Sequence, residues 1–337
     1  MSFQKCQIVG VNISPTTYHQ PQKHERGSPE FVMSQSALKS FGKCPSKWKD
    51  GAEEDDTASM AWGNLVDTLV LTPQLFAERY AIRPETYKDE KGNVKDWHPN
   101  SNTCKAWLEA CHKYGREAIS RGKESEASKA VLRLKRDVRI AAFLAVCKFQ
   151  VELRGFWKDD VTGLEIPVRC LLDAVPEGDS EFGNDLGDLK TSKDVSLYTF
   201  RRQAVRLGYH IQSAFSLDFF NAASGQQRNQ WRFLLQESDP PYQTGRRICT
   251  SYENPQDAPP QNFIQFGRDE YKRMMRNYCI CLKAGVWGDF DTTDESVEGW
   301  SVLEADPWAV NDALFAPKFQ LPESAEDLRV NVEEITP

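Results

Sequence analysis

Hydrophobic positions follow two regimes along the chain. Up to about residue 148 they recur at helical spacing. In "SQSALKSFGKCPSKW", Leu38, Phe41 and Trp48 mark one helix, with a serine placed to cap it and Pro45 placed to end it. "ASMAWGNLVDTLVLTPQLFAERY" predicts a second helix, broken near Pro73. "YKDEKGNVKDWHPNSN" predicts a loop or hairpin. "NTCKAWLEACHKYGREAIS" and "SEASKAVLRLKRDVRIAAFLAV" predict two more helices. Residues 1–30 are polar, carry Pro15, Pro21 and Pro29, and predict an irregular arm.

The pattern changes near Phe149. "FQVELRGFWKDDVTGLEIPVRCLLDAV" has two β-rich runs around Asp-Asp-Val-Thr-Gly, a hairpin signature. "NDLGDLKTSKD" predicts a third strand and "SLYTFRRQAVRLGYHIQSAFSLDFFNAAS" one long amphipathic helix. "QWRFLLQES" and "QNFIQFG" predict two further strands, and "RDEYKRMMRNYCICLKAG" a closing helix. The expectation is an α/β (α+β) chain with a helical front over 31–148 and a β-β-β-α-β-β-α core over 149–290. The two together would form a single domain, followed by a segment over 291–337.

Composition adjusts this picture in three ways. The net charge of −7 argues against a nucleic-acid partner until its distribution is seen. From Gly288 to Pro337 there are 13 acidic and 2 basic residues, whereas the rest holds 36 acidic and 40 basic, so a mildly basic body precedes an acidic tail. The nine cysteines include no CxxC pair, which predicts reduced thiols and argues against zinc or an iron–sulfur cluster. No apolar run approaches the roughly 18 residues that span a bilayer, and the first residues lack a signal pattern. A soluble, cytoplasmic protein with no membrane partner is the expectation.

The candidate chemistry lies on the third strand. Residues i and i+2 of a strand share a face, so Asp188 and Lys190 project together. In "PVRCLLDAV", Val168, Cys170, Leu172 and Ala174 share one face, and Arg169, Leu171 and Asp173 the other. Carboxylates in strands this apolar are costly unless compensated. Asp173 and Asp188, on successive strands, suggest a shared cation. Oxygen ligands without paired His or Cys favour Mg²⁺, with Mn²⁺ as a substitute. Lys190 would then orient the attacking water and stabilise developing negative charge. A buried Asp–Lys salt bridge is the plain structural alternative.

These residues resemble the PD-(D/E)XK nuclease superfamily, and more narrowly the phage-type RecE exonucleases (exonuclease VIII). "MSQSALKSFGKCPSKW" is similar to that family's S-x-S-x-L-K-x-F-x-x-x-P helix, and "WGNLVDTLVLTP" to its G-x-x-x-H helix. "VELRGFWKDDVTGLEIPVRCLLDAVPEG" resembles E-x(4)-W-x-D-x-x-T-G-x(5)-R-x-D. "GDLKTS" resembles the D-x-K strand, and "GYHIQSAFSLD" the Y-H-x-Q-x-A-x-x-x-D helix. The resemblance implies a restriction-endonuclease-like core, a central mixed sheet flanked by helices.

It also implies roles. Asp173 and Asp188 would hold the principal metal with the Leu189 carbonyl, and Glu152 and Asp67 would complete a second position. Lys190 would handle the water and Gln212 would orient Lys190. Asp67 stands where the family has His, and Ser216 where it has Tyr, so Ser216 inherits no role. Counted at 100° per residue, Arg201, Val205, Gly208 and Gln212 form one stripe of the long helix. That count places Arg201 on the catalytic face to hold a phosphate. Arg202 falls off the stripe, and His210 reads as structural. Ser34, Ser36 and Lys39, on the first helix, are candidate DNA contacts.

The implied function is a Mg²⁺-dependent 5′→3′ exonuclease on double-stranded DNA ends, leaving 3′ overhangs for phage-type recombination in a bacterial or phage-infected cell. The implied partners are a single-strand annealing protein and copies of the chain itself, in a ring of three or four. Two alternatives stay open. One is a structure-selective or adaptation-type endonuclease of the same superfamily, and the other a catalytically silent DNA-end-binding module.

Overall fold

The computed structural model describes residues 1–51 and 57–288 and, beyond them, the paired dipeptides Ser296–Val297 and Trp300–Ser301. The chain divides into two units, Met1–Asp289 and Phe290–Pro337. Most of the predicted acidic segment, 291–337, therefore lies outside the described residues. No described helix is long and apolar enough to cross a membrane, and all nine cysteines are free thiols.

The first unit is a mixed α+β fold around a seven-stranded sheet. The chain opens with strand β1 (Ser2–Gly10) where an irregular arm was expected. Its polar sequence hides it, because β1 is an edge strand, paired antiparallel to one neighbour and exposed along much of its length. The short strand β2 (Met33–Ser34) leads into helix α1 (Gln35–Lys43), capped by Ser34, whose Oγ accepts from Ala37 N at 3.2 Å. Helices α2 (Ala58–Leu71), α3 (Asn102–Lys113), α4 (Arg121–Lys135) and α5 (Val138–Ala145) make the helical front. A small hairpin, Thr86–Lys88 with Val94–Asp96, interrupts it where a loop or hairpin was predicted.

Strands β3 (Cys147–Lys158), β4 (Glu165–Pro176) and β5 (Asp185–Ser192) follow. The β3–β4 turn closes because Asp159 Oδ2 accepts from Thr162 N at 2.7 Å and Thr162 Oγ1 at 2.8 Å. Helices α6 (Leu197–Arg206) and α7 (Tyr209–Ser224) come next, then β6 (Gln230–Glu237), β7 (Thr244–Thr250) and helix α8 (Phe263–Ala284). The sheet order is β1-β3-β4-β5-β6-β7, with β2 beside β4. The pairs β5–β6 and β2–β4 are parallel and the rest antiparallel.

Two expectations are corrected. The long helix is two helices, because Gly208 adopts φ +66° between them, a left-handed conformation that costs glycine little. The strand expected at "QNFIQFG" is instead the start of α8. Asn262 caps it by accepting from Gln265 N at 2.7 Å, and Ile264, Gly267, Tyr271, Met274, Met275 and Tyr278 are buried at helical spacing. The second strand of that pair is Thr244–Thr250, which lies between the two predicted runs.

The sheet is buried on both faces. Leu153, Trp157, Val168, Cys170, Leu172 and Leu186 share a core with Phe215 and Phe219 of α7 and with Tyr271 and Met275 of α8. Ala174, Leu189 and Leu234 pack with Val66 and Val70 of α2, Leu134 of α4, and Ile140 and Phe143 of α5. Helix α7 is buried nearly all round. It meets α8 at Gly267, where an added Cβ would fall 1.9 Å from the His210 carbonyl oxygen.

Candidate active site

The site sits where the sheet is least continuous. Strand β3 pairs with β4 along almost its whole length, and β5 with β6 from end to end. Strands β4 and β5 are joined at one position, Ala174 opposite Gly187. Asp173 immediately precedes that bridge and Asp188 immediately follows it. Along β4 towards its N-terminus, the neighbour is β2, through Met33–Val168 and Ser34–Arg169. Here lies a cleft of about 150 Å³, lined among others by Asp173, Asp67, Gln212 and Gln150.

Helix α2 supplies one wall. Asn64, Asp67 and Thr68, and Thr72 at its C-cap, line the cleft. Their spacings of three, four and eight residues put them on one face, while Val66 and Val70 pack into the core. Helix α7 supplies another wall through Gln212. Ser34 and Ser36 close the far side, their hydroxyls 3.0 Å apart.

Hydrogen bonds tie the acidic residues together. Lys190 Nζ donates to Asp188 Oδ1 at 2.8 Å and lies 2.8 Å from Oδ2 as well. Gln212 Nε2 donates to the same Oδ1 at 2.8 Å. Apart from the Lys190 ammonium, Asp188 Oδ2 has no donor. Leu189 N donates to Asp173 Oδ2 at 3.1 Å, bridging the splayed strands. The Tyr209 ring covers the Lys190 ammonium. On the α2 side, Arg79 Nη1 donates to Thr68 Oγ1 in a short contact.

The electrostatics are those of crowded acids. Burial, and then the Asp188 charge, pushes Asp173 well above the ordinary carboxylate range, against the pull of Lys190. Asp67 is pushed up to about 7 by burial, with Lys190 pulling it down and Asp188 pushing it up. Burial works against the charge of Lys190, but the Asp188 and Asp173 carboxylates outweigh it and hold the ammonium above its usual value. Three carboxylates thus face one ammonium.

The structure brings Asp67, Asp173, Asp188, Lys190 and Gln212 together, with Leu189 between the two strand carboxylates. Glu152 is not brought among them. It is buried and accepts from Arg154 Nε at 2.7 Å, and it does not line the cleft. Lys39 reaches the carbonyl of Leu207 at 3.2 Å, outside the cleft. The stripe that placed Arg201 on the catalytic face does not exist, because Gly208 breaks the helix on which it was counted. Arg201 is exposed on α6, whose buried residues are Phe200 and Ala204. His210 is buried and stacks on Phe266 with ring centroids 4.6 Å apart. Ser216 lies in the core, 3.3 Å from Cys170 Sγ.

Sequence reasoning missed three residues. Tyr209 had a signal, its place in "GYHIQ" three residues before Gln212. Arg79 had none, since only the fold returns it to the α2 face. Gln150 had none either, because its left-handed backbone is set by the fold rather than by its neighbours in sequence.

No family model matches this chain, and no curated protein does. Among solved structures, one that is distantly similar shows how far the likeness goes. It comes from Eubacterium rectale, is provisionally named an exonuclease, and shares 14% identity at a TM-score of 0.48, over 91% of this chain and 99% of that one. At that distance the likeness assigns neither family nor activity.

A divalent cation fits the donor set. The buried side-chain atoms without a partner that belong to cleft-lining residues, Gln35 Oε1 and Gln150 Oε1, are oxygens, which suits a hard ion. A positive charge would offset the burial, and the lesser repulsion from Asp188, that raise Asp173 and Asp67. Among the described residues, however, no three His, Cys, Asp or Glu side chains form a metal-holding group. The carboxylates alone do not complete a cage.

Proposed function

We propose that this protein is a Mg²⁺-dependent nuclease, and specifically an exonuclease acting from the ends of double-stranded DNA. One observation carries the reading: Asp173 and Asp188 flank the only bridge between two splayed strands, with Lys190 and Gln212 converging on Asp188. A plain structural salt bridge would not need a second carboxylate, raised by burial and by its neighbour's charge, beside an open cleft. Two buried carboxylates left this short of positive charge are costly in an interior, and function is the usual reason for keeping them.

In this reading Asp173, Asp188 and the Leu189 carbonyl would hold the cation, with Asp67 on the opposite wall. The cation would supply charge at the scissile phosphate and a readier water nucleophile. Lys190 orients that water and offsets negative charge as it develops on the phosphate oxygens. Gln212 fixes Asp188, and through it Lys190. Ser34 and Ser36, which line the same cleft, would offer their hydroxyls to the DNA backbone. The resemblance to RecE-type exonucleases supports 5′→3′ polarity and a ring of three or four copies, with a single-strand annealing partner.

A linear duplex labelled at one 5′ end or one 3′ end, digested with Mg²⁺ or with EDTA, tests this. The expected result is EDTA-sensitive release of nucleotides from the 5′ end, with a closed circular duplex left intact. Cutting of the circle would favour the endonuclease alternative. Binding to ends without cleavage would favour the silent module. Light scattering reads the assembly.

A further inference from the structure

Gln150 is a residue for which the nuclease reading has so far had no use. It lies in the middle of β3, where a buried residue should be apolar or hydrogen-bonded. It is neither. It is 4% exposed, and its side-chain oxygen Oε1 is closed to solvent and receives no hydrogen bond. Its backbone has φ +47°, in the left-handed region that a glutamine enters only at a cost. Of the four described non-glycine residues with such a φ, Gln150 is the one that lines the cleft.

The strain has a visible purpose in the register. Phe149 pairs with Ala174 and Val151 with Leu172, so Gln150 falls opposite Asp173 without being paired to it. The segment after β1 holds this backbone, with Asn12 N donating to Phe149 O at 2.9 Å and Ile13 N to Gln150 O at 3.1 Å. The fold thus holds an amide side chain beside Asp173, on the cleft that Asp67 lines from α2. Glu152, two residues on, is left to Arg154.

We propose that Gln150 is a cation ligand of this cleft, its amide oxygen completing the oxygen set that Asp67 and Asp173 begin. The inference rests on the nuclease reading and deepens it. A magnesium–oxygen contact of about 2.1 Å is shorter than a water hydrogen bond of about 2.8 Å, so an oxygen with no room for water can still accept the bare ion. A neutral ligand also suits the site. It adds a donor without adding a further negative charge to carboxylates that already repel one another.

The test is Mn²⁺ binding to the full chain without DNA, read by loss of the free-ion electron paramagnetic resonance signal. Gln150→Gly removes the side chain and eases the backbone, so a folded protein is expected. Gln150→Met keeps the side-chain length and removes the oxygen. Both should weaken Mn²⁺ binding about 10-fold or more, with melting in EDTA no lower than wild type for Gln150→Gly. Gln150→Glu should restore binding or tighten it. Wild-type affinity in Gln150→Gly and Gln150→Met, or no rescue by Gln150→Glu, overturns the ligand role alone, provided that Asp173→Asn has lost the ion. If the wild type takes up no Mn²⁺, or Asp173→Asn takes up as much as wild type, the nuclease reading falls, and this inference with it.

Discussion

Tyr209 lays its ring over the Lys190 ammonium, with Nζ 5.2 Å from the ring centroid. The lysine is therefore held from two sides, by the Asp188 carboxylate and by an aromatic face that itself packs on Phe200 and Phe233. Lys190→Ala should lower turnover by about 100-fold or more while DNA binding persists. Tyr209→Phe should keep the ring and the activity. Tyr209→Leu should lose a desolvated cation–π contact of about 2 kcal/mol, roughly 30-fold in kcat, with KM little changed. Near-normal turnover in Lys190→Ala would remove the lysine from the mechanism.

Asp67 gives the metal-free protein a pH dependence. Its carboxyl is raised from 3.8 to about 7, so it holds its proton more tightly folded than unfolded. That contribution to stability is complete below pH 3.8 and is lost as pH rises through about 7. In EDTA, melting temperature should fall between pH 5 and 8, by an amount on the order of 2–4 kcal/mol in stability. Asp67→Asn should flatten the fall. The same change should weaken Mg²⁺ activation, whereas Asp67→His should retain substantial activity. An unchanged Mg²⁺ titration in Asp67→Asn would mark Asp67 as a bystander.

His210 sets the acid side. Burial lowers its pKa, and its Nδ1 has no partner inside the protein. A depressed pKa stabilises the fold above the ordinary value of 6.5, and that gain is lost as pH falls through the folded-state value. His210→Phe should therefore lose less melting temperature than wild type between pH 7 and pH 5. Parallel curves for the two proteins would show that another group governs acid unfolding.

Gly267→Ala probes the packing of α7 on α8. The new methyl would meet the His210 carbonyl, a backbone atom that cannot turn aside. A cost of about 3 kcal/mol, roughly 10 °C in melting temperature, is expected. Because α7 also carries Gln212, activity should fall below the unfolding range. A melting temperature within a degree of wild type would mean that the helices part more easily than their contacts imply.

The legible parts of this chain were those written locally. The turn at Asp159–Gly163, the D-x-K strand and the capped helix at Ser34 each carry their signal within a few residues. Asp173, Asp188 and Lys190 could be gathered because strand periodicity fixes which way they point, whereas Asp67 and Gln212 were found through the family resemblance. The misreadings share one cause. Strand β1 is stabilised by its neighbour rather than by its own apolar pattern, and the left-handed backbone at Gln150 is held by Asn12 and Ile13 from far along the chain. Gly208 was different, since a glycine within a helical pattern is a break signal, and reading through it displaced Arg201.

The lone rung between β4 and β5 has a mechanical side. Each strand is stiffened by its outer neighbour, β3 or β6, so the two aspartates ride on separate hydrogen-bonded ribbons that share one hinge point. What spans the gap besides that rung is the bond from Leu189 N to Asp173 Oδ2, and Leu189 in turn packs against Val66 and Val70 of helix α2. If the cleft takes the proposed cation, the spacing of its two aspartates would be set jointly by the ribbons and by α2, and that spacing would have to tell magnesium–oxygen distances of about 2.1 Å from calcium–oxygen distances of about 2.4 Å.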